Sequence, residues 1–258
     1  MRELEQHKDI LSSVTNALKI LRLYTPKQQE LSFTEIITKL NLSKGTGHRL
    51  ISTLVKEGFL SKNPRTNHYR LGLAILGLGG TIFSHRELYR EAIPIVKRLS
   101  SELQETAHIC LLENDKVAYL FRSESNQPDR LVTQIGRTNP LHCTSEGLCL
   151  LAFQKESFIQ DFLKKPLYAY TPYTITQPQI LYTLLQEIKM NDYCYLDSTY
   201  FLNYTSVSVP IRNHLEKVVA TLSVIGHSSR FTKDNREEII KKMKEAANQI
   251  SENLGYYP

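Results

Sequence analysis

The 40 residues that start at Ser32 constrain the fold most, because two short helices joined by a tight turn are followed there by a glycine and a basic hairpin. Ser32 and Glu35 have the spacing of a capping box, which predicts the start of the first of these helices. Ser43 is the predicted N-cap of the second helix, and Gly58 is its predicted stop. The chain then extends and is predicted to turn back at residues 63–67. This order predicts a winged helix-turn-helix, a fold that binds double-stranded DNA.

Polar and cationic side chains occupy the positions of this motif that would meet DNA. The second helix is predicted to turn Leu50, Leu54 and Val55 inward, which leaves its polar residues for the major groove. On the wing, Arg65 and Asn67 suit backbone or minor-groove contacts, and Arg49 suits a base, a phosphate or its own domain equally well. The candidate DNA-binding residues are Ser43, Lys44, Thr46, His48, Arg49, Thr53, Lys62, Arg65, Asn67 and His68.

The positive charge of the chain is concentrated in the same region. Residues 1–86 hold 13 Lys and Arg against 6 Asp and Glu, which gives a net charge of +7, whereas the remaining 172 residues carry −1. Neutralised phosphates release counterions and so raise affinity for duplex DNA. A concentrated surplus beside a helix-turn-helix pattern therefore favours DNA as the partner over a merely solvated basic face.

Length and composition suit two domains, since 258 residues with a hydrophobic fraction of 41% can bury two cores. The predicted division is a winged helix-turn-helix domain over 1–71, a linker helix over 72–88 and a second domain over 89–258. The uncharged stretch 71–83 suits either a buried core helix or a linker helix used for dimerisation. The N-terminus lacks a signal-peptide pattern, and no apolar run approaches the roughly 18 residues of a membrane span, which predicts a cytoplasmic protein without a membrane partner.

Neither metal binding nor catalysis is indicated. The four cysteines are scattered without a CxxC pair or a His-rich neighbour, so no disulfide framework, zinc site or other cofactor is predicted; they are Cys110, Cys143, Cys149 and Cys194. Residues 142–146 place a thiol beside a histidine, but no nucleophile elbow, phosphate loop or metal spacing accompanies them. The chain is therefore not predicted to be an enzyme.

Beyond residue 88 the pattern changes to alternating strands and helices, which predicts an α+β domain of the kind that holds small molecules between sheet and loops. Thr144 or Ser145 is the predicted cap of one of these helices. The predicted strands are 107–112 and 117–122, joined as a hairpin at residues 114–115, then 131–136, and 205–211 with 218–226 as a second hairpin. The predicted helices are 13–24 in the first domain and 94–104, 146–163, 177–190 and 232–254 in the second.

Several phrases in this order resemble the IclR family of bacterial transcriptional regulators. They are SSVTNALKILRLY in the first helix, HRLISTLVKEGFL with YRLG around the wing, LHCTSEGLCLLAF in the second domain, and VSVPIRN with KVVATLSVIG in the last hairpin. The resemblance runs from about residue 12 to residue 232. It implies a regulator, more often a repressor than an activator, that binds a partly palindromic operator as a homodimer or dimer of dimers. It also implies a GAF-like C-terminal domain that binds a small organic, sugar or aromatic acid.

The resemblance places the effector against the N-terminus of the helix that begins near Ser145, where unpaired N–H groups and the positive end of the helix dipole attract a carboxylate. Glu146 stands where the family prefers a small residue, and it either lines the pocket or points into solvent. Ser206 falls where many members have cysteine, and Asp197 best matches a nearby acidic position. The candidate effector-binding residues are Leu131, Ser145, Glu146, Asp197, Ser206 and Ser223.

Two glycines depart from the family pattern. Gly45 and Gly47 stand where family recognition helices usually carry a serine and a larger residue, and together they cost a helix about 1–2 kcal/mol. Either this turn orders on DNA, or the backbone approaches a phosphate closely. The family often has an aromatic residue at the position of His48, so the bases that are read do not carry over.

Two hypotheses concern the signal that the second domain receives. Eight of the 14 tyrosines lie between residues 168 and 204, which suits a hydroxyl-bearing aromatic lining for the acid or ordinary loop packing. Alternatively, Cys143 and Cys149 near a helix N-terminus would make the chain a redox-responsive regulator. In either case the signal is expected to change the orientation or assembly of the winged domains. A coupling of about 1–3 kcal/mol alters operator affinity about 5- to 150-fold.

Overall fold

The computed structural model describes residues 11–25, 28–84, 87–124 and 138–257. The chain divides into two compact units, Met1–His85 and Arg86–Pro258.

The N-terminal unit has the winged helix-turn-helix order that the sequence predicts. Ser32 Oγ accepts a hydrogen bond from the backbone N–H of Glu35, and the Glu35 carboxylate accepts one from the backbone N–H of Ser32 at 2.7 Å, which confirms the capping box. Ser43 caps the next helix, and Gly58 ends it with φ of +73°. The elements are α1 (Ser12–Leu21), α2 (Phe33–Lys39), α3 (Lys44–Lys56), β1 (Leu60–Lys62), β2 (Tyr69–Leu71) and α4 (Leu73–Ser84).

A small apolar core fixes the orientation of α3. Ile51 and Leu54 on the inner side of α3 pack with Ile20 of α1, Ile36 of α2 and Leu60 of β1. Burial of such side chains stabilises a fold by about 1.5–3 kcal/mol each. The opposite side of α3 therefore faces solvent.

Helix α4 is not a buried core helix, so that alternative from the sequence is wrong. Leu73, Leu76 and Leu78 are 83%, 72% and 57% exposed. The sequence is compatible with both a core helix and a linker helix. An apolar pattern predicts that a helix packs against something, but it does not show whether that surface belongs to the same chain or to another.

The C-terminal unit is built on an antiparallel sheet whose six described strands follow the order β5-β4-β3-β8-β7-β6. Its strands are β3 (Thr106–Glu113), β4 (Lys116–Ser123), β5 (Thr138–Pro140), β6 (Cys194–Asp197), β7 (Tyr204–Arg212) and β8 (Val218–His227). Its helices are α5 (Glu87–Leu103), α6 (Ser145–Ala152), α7 (Glu156–Leu163), α8 (Pro178–Asn191) and α9 (Lys233–Asn253), with a 3₁₀ turn at Ser228–Arg230.

Helices cover both faces of this sheet. Ser208 of β7 faces α6, since its Oγ lies 2.7 Å from Ser145 Oγ. Because neighbouring side chains of a strand alternate between faces, Val207 and Val209 point the other way, where α9 packs on β7 and against α5. The face toward α6 carries many hydroxyl, thiol and imidazole groups among its apolar residues. The candidate site of this unit lies on that face.

Three sequence predictions for this unit need correction. The predicted helix 146–163 is two helices, because the chain turns at Gln154–Lys155 although no Gly or Pro marks the break. The helix predicted from residue 94 begins at Glu87, since the apolar face around Ala92 and Ile95 holds Pro94 inside the helix. Strands β5 and β6 were not predicted. The strand predicted at 131–136 lies outside the described residues.

Candidate functional site

The exposed face of α3 is the candidate DNA-reading surface. Arg49 lies at its centre, flanked by Gly45, Ser52, Thr53 and Lys56, all exposed. The inner side of the same helix is buried. Ser52 and Lys56 were missed by the sequence prediction, although their spacing of three and seven residues from Arg49 is a signal that places them on the same helical face.

Several of the predicted DNA-binding residues also support α3 itself. Ser43 Oγ accepts from the backbone N–H of Thr46 at 3.2 Å and donates to Thr46 Oγ1 at 3.0 Å. Thr53 Oγ1 donates to the carbonyl of Arg49 at 2.8 Å. The His48 ring stacks edge-on against Phe33 of α2. Lys44 and Arg49 are the cations that α3 offers to solvent in its first two turns.

The wing divides into residues that shape its turn and residues that carry charge. Asn63 Oδ1 accepts from the backbone N–H of Arg65 at 3.0 Å, and Asn67 takes the left-handed backbone with φ of 57°. His68 Nδ1 lies 2.8 Å from a carbonyl oxygen of the same turn. Lys62 at the end of β1 and Arg65 within the turn are both exposed. Lys62 and Arg65 therefore supply the charge for phosphate contacts, whereas Asn67 and His68 shape the turn.

The two unusual glycines of α3 have different surroundings. A β-carbon on Gly47 would overlap Cγ2 of Ile37, so α2 and α3 approach too closely there for any side chain. Nothing lies within 4 Å of the corresponding position on Gly45. Packing explains Gly47, whereas nothing within the described chain requires Gly45.

A second candidate site is a narrow cavity at the N-terminus of α6, here called the α6 cavity. It contains about 310 Å³ of space not filled by atoms, part of which is open to solvent. Its described walls are Tyr119, Asn139, Cys143, Thr144, Glu146, Thr199, Tyr200, Phe201, Tyr204, Ser206 and Ile225.

A chain of hydrogen bonds crosses these walls and ends on Glu146. Tyr200 OH donates to Asn139 Oδ1 at 3.4 Å, and Asn139 Nδ2 donates to Tyr119 OH at 2.8 Å. Tyr119 OH in turn donates to Glu146 Oε1 at 2.5 Å. Ser145 Oγ donates to the other carboxylate oxygen at 3.2 Å. Tyr119 and Ser145 donate directly to the carboxylate, and the chain that starts at Tyr200 ends there.

Glu146 therefore lies in the cavity wall and not in solvent, with only 5% of its surface exposed. Burial raises the pKa of Glu146, and the hydrogen bonds from Tyr119 and Ser145 offset only part of that rise. Burial also raises the pKa of Tyr119, reinforced by the neighbouring Glu146 charge. Tyr119 thus remains a hydrogen-bond donor.

The other predicted effector residues are placed differently. Ser206 lies in the cavity wall, whereas Ser145 and Ser223 are buried next to it on the sheet side of α6. Asp197 lies outside the described walls, where its carboxylate accepts hydrogen bonds from three hydroxyl groups. Its partial burial raises its pKa, but these bonds outweigh that and the net shift is downward. Leu131 lies outside the described residues.

Two of the eight clustered tyrosines, Tyr200 and Tyr204, line the cavity. Others lie outside it; for example, Tyr195 packs beneath Arg236 of α9 with the guanidinium carbon 4.0 Å from the ring centroid. The sequence prediction missed Tyr119 and Asn139, which lie on β4 and β5. No local motif marks either residue, because their position beside α6 depends on the pairing of β4 with β5.

Family models match both units. The IclR helix-turn-helix domain matches residues 13–64, and the C-terminal domain of the bacterial transcriptional regulator IclR matches residues 80–252. The chain belongs to the IclR family. One curated relative is the HTH-type transcriptional regulator KipR of Bacillus subtilis, with 31% identity over 249 residues that cover 95% of this chain and 97% of KipR.

Solved IclR structures share the whole architecture. The IclR protein of Thermotoga maritima has a TM-score of 0.83 and 27% identity, covering 95% of this chain and 99% of its own. An IclR homologue from Microbacterium hydrocarbonoxydans, complexed with 4-hydroxybenzoate, has a TM-score of 0.79 at 24% identity with coverage of 95% and 99%, and so supports the fold. The predicted family and α+β fold class are confirmed. The chain is a DNA-binding transcriptional regulator, and its named relatives are regulators rather than enzymes.

The cysteines of this IclR-family regulator are poorly suited to redox sensing. All four are buried without a disulfide. Burial raises the pKa of Cys143 and Cys149 far above the ordinary range of a thiol, and the charge of Glu146 adds to the rise at both sites. Since the thiolate is the form that reacts with oxidants, this environment works against the redox alternative.

Membrane-spanning helices and metal clusters are both missing from the described residues. None of the described helices has both the length and the apolar character needed to cross a membrane. Within the same part of the chain, His, Cys, Asp and Glu side chains form no group of three or more that could hold a metal ion.

Proposed function

We propose that this regulator is a repressor whose C-terminal unit binds a small organic, sugar or aromatic acid in the α6 cavity. The observation that carries the proposal is the cavity itself, which has buried polar groups at one end and the rings of Tyr200, Phe201 and Tyr204 along its walls. Aromatic rings suit a planar ligand or the apolar face of a sugar, and a few buried polar groups fix its orientation. The 4-hydroxybenzoate of the Microbacterium relative is one acid of the proposed class.

The winged unit supplies the DNA-binding half of the proposal. The exposed face of α3, with Arg49 at its centre, is the surface we assign to the major groove. Lys62 and Arg65 on the wing are assigned to the phosphates beside it. The net charge of +7 on residues 1–86 supports this assignment.

A second copy of the chain is the proposed protein partner, as a homodimer or a dimer of dimers. Val14 and Leu18 of α1 and the leucines of α4 expose large apolar side chains. Grouped apolar side chains in solvent are typical of protein contacts. Two winged units paired in this way would match the two halves of a partly palindromic operator.

The experiment begins with selection of the operator. Duplexes bound by the full chain are selected from a random pool, and a thermal-shift panel of carboxylates, sugar acids and aromatic acids is run in parallel. Operator affinity is then measured by fluorescence anisotropy with and without each ligand that raises the melting temperature. We expect a change of about 5- to 150-fold. A ligand that raises the melting temperature but leaves operator affinity unchanged counts against the proposed coupling.

The direction of regulation is tested separately. In vitro transcription from a promoter that contains the selected operator is expected to fall when the protein is added. A rise in transcription would make the chain an activator and would overturn the repressor assignment, while leaving DNA binding intact.

A further inference from the structure

The inner end of the α6 cavity, at Glu146, already holds an acidic side chain. The N-terminus of α6 would by itself attract an anion, because its N–H groups and the helix dipole point there. In this chain that position is occupied, since Glu146 lies in the first turn of α6 with its carboxylate buried in the cavity wall. Thr144 Oγ1 accepts from the backbone N–H of Gly147 at 3.2 Å, which satisfies a further donor of the helix end. Little of the positive end of α6 is left for a ligand carboxylate.

Four hydroxyl groups of the wall donate their hydrogens within the protein. Tyr200 and Tyr119 donate along the chain that ends on Glu146. Thr144 Oγ1 donates to the carbonyl of Pro140 at 2.9 Å, and Thr199 Oγ1 donates to the carbonyl of Cys143 at 2.8 Å. These bonds leave oxygen lone pairs, and not hydrogens, facing the cavity.

Two further features of the wall also disfavour a ligand carboxylate at this end. No Lys, Arg or His is found among the described wall residues. The Ser206 hydroxyl makes no hydrogen bond within the described chain and serves a ligand equally well as donor or acceptor. A carboxylate that entered this end would therefore meet Glu146 without a cation among the described wall residues to compensate it, which is costly in a buried site.

Glu146 itself has unused capacity. A carboxylate has about four acceptor positions; the side chains of Tyr119 and Ser145 take two of them, and the backbone N–H of Glu146 takes a third. A buried charge gains most from additional donors, because hydrogen bonds to an ionised acceptor are roughly twice as strong as those between neutral groups.

We propose that the inner end of the α6 cavity binds a hydroxyl or ammonium group of the effector through Glu146. The effector is then a compound with a hydrogen-bond donor at one end, and its acid group, where it has one, lies at the opposite end, away from Glu146. This inference rests on the proposed function, since it specifies the ligand of the same cavity.

The test uses pairs of compounds that differ at one end only. The panel is 4-hydroxybenzoate, 4-(aminomethyl)benzoate and terephthalate on one ring, together with gluconate and glucarate on one six-carbon chain. Thermal shift of the full chain selects binders, and calorimetry gives their dissociation constants. We expect the hydroxyl or ammonium member of a pair to bind at least about tenfold more tightly than the diacid, because it donates a hydrogen bond to Glu146 that a carboxylate cannot make.

The variant Glu146→Gln keeps the shape of the side chain and removes its charge. We expect it to abolish or reverse the preference, because the amide N–H₂ of glutamine is a donor that suits a carboxylate. Asp161→Asn is the matched control, since this carboxylate is exposed on α7 and lies outside the cavity walls. It is expected to leave the preference unchanged.

The remaining outcomes separate this inference from the proposed function. A diacid that binds wild-type protein as tightly as its hydroxyl partner would overturn the inference while supporting a small-molecule sensor. A diacid affinity that falls about tenfold per pH unit above neutral would overturn it too, because Glu146 would then take up a proton to admit a carboxylate. If no member of the panel shifts the melting temperature, the result counts against the acid-sensing function and against the inference that rests on it.

Discussion

Gly47 of α3 lies so close to Ile37 of α2 that a β-carbon at position 47 would overlap Ile37 Cγ2. The neighbouring wall is a β-branched side chain with little rotamer freedom, so it moves aside only at a cost. The glycine that lowers the intrinsic stability of α3 is therefore the residue that lets the two helices of the motif cross closely.

The first prediction follows from this contact. Gly47→Ala is expected to destabilise the helix-turn-helix by about 1–3 kcal/mol, because overpacking against Ile37 exceeds the gain in helix propensity. Hydrogen exchange measured on peptides that cover residues 33–56 reports this locally in the full chain. Gly45→Ala is the control, since nothing lies within 4 Å of its β-carbon position. It is expected to increase protection by up to about 1 kcal/mol, and equal effects of the two variants would contradict this explanation.

A second prediction concerns why Gly45 is kept despite its cost to helix stability. We expect the Gly45 backbone to approach a phosphate, in which case Gly45→Ala binds a selected operator several-fold more weakly although the helix is more stable. Fluorescence anisotropy at one fixed salt concentration measures the change. Unaltered operator affinity in this stabilised variant would rule out the close approach.

The N-terminal unit was predictable from sequence because its signals are local. The capping box of Ser32 and Glu35 depends on residues three positions apart, and the helix stop at Gly58 depends on its own backbone conformation. The structure confirms both signals. The break between α6 and α7 was not predictable in this way. The apolar periodicity continues through Phe153 and Phe158, and only the tertiary packing shows where the chain turns.

The candidate cavity was only partly predictable for a related reason. An acidic residue in the first turn of a helix, such as Glu146, has the same sequence pattern whether it faces water or a buried wall. Its partner Tyr119 and the Asn139 that donates to Tyr119 come from strands that are 27 and 7 residues away. Such a site depends on the pairing of β4 with β5, which a local pattern does not encode.

The third prediction concerns the charge of the wing. Lys62→Ala and Arg65→Ala are each expected to reduce the slope of log affinity against log salt by about 0.9 on a duplex of arbitrary sequence, because each removes one phosphate contact. Titrations at several salt concentrations give this slope without knowledge of the operator. Lys164→Ala, at the C-cap of α7, removes an equal charge from the C-terminal unit and is expected to leave the slope as it is. If the wing variants behave like Lys164→Ala, the wing does not contact the DNA backbone.

The fourth prediction concerns the thiols. Because burial raises the pKa values of all four cysteines, a thiol-specific reagent such as DTNB is expected to react with none of them within minutes at about pH 8. All four are expected to react in concentrated guanidinium. One thiol of the folded protein could instead react fast, and this reaction could be lost in Cys143→Ser. That result would restore the redox alternative, since Cys143 lines the α6 cavity.

The last prediction concerns acid stability. Burial, with the nearby charge of Arg122, lowers the pKa of His108 to about 3. The unfolded chain therefore binds a proton at His108 below about pH 6.5 that the folded chain does not bind. The free energy of unfolding should fall by about 1.4 kcal/mol per pH unit as the pH drops from about 6.5 toward 3. Between about pH 6.5 and pH 5, His108 is thus expected to remove about 2 kcal/mol of stability.

Urea unfolding followed by tyrosine fluorescence reports this effect, because 12 of the 14 tyrosines lie after residue 86 and the chain has no tryptophan. His108→Gln cannot titrate and should lose about 2 kcal/mol less than wild type over that interval.

The interval lies above the ordinary pKa of carboxylates, so most of them contribute little to the difference. Glu146 acts in the opposite direction, since its raised pKa favours the folded state as the pH falls, but it is present in both proteins. Parallel curves for the two proteins would mean that the folded state admits a charged His108.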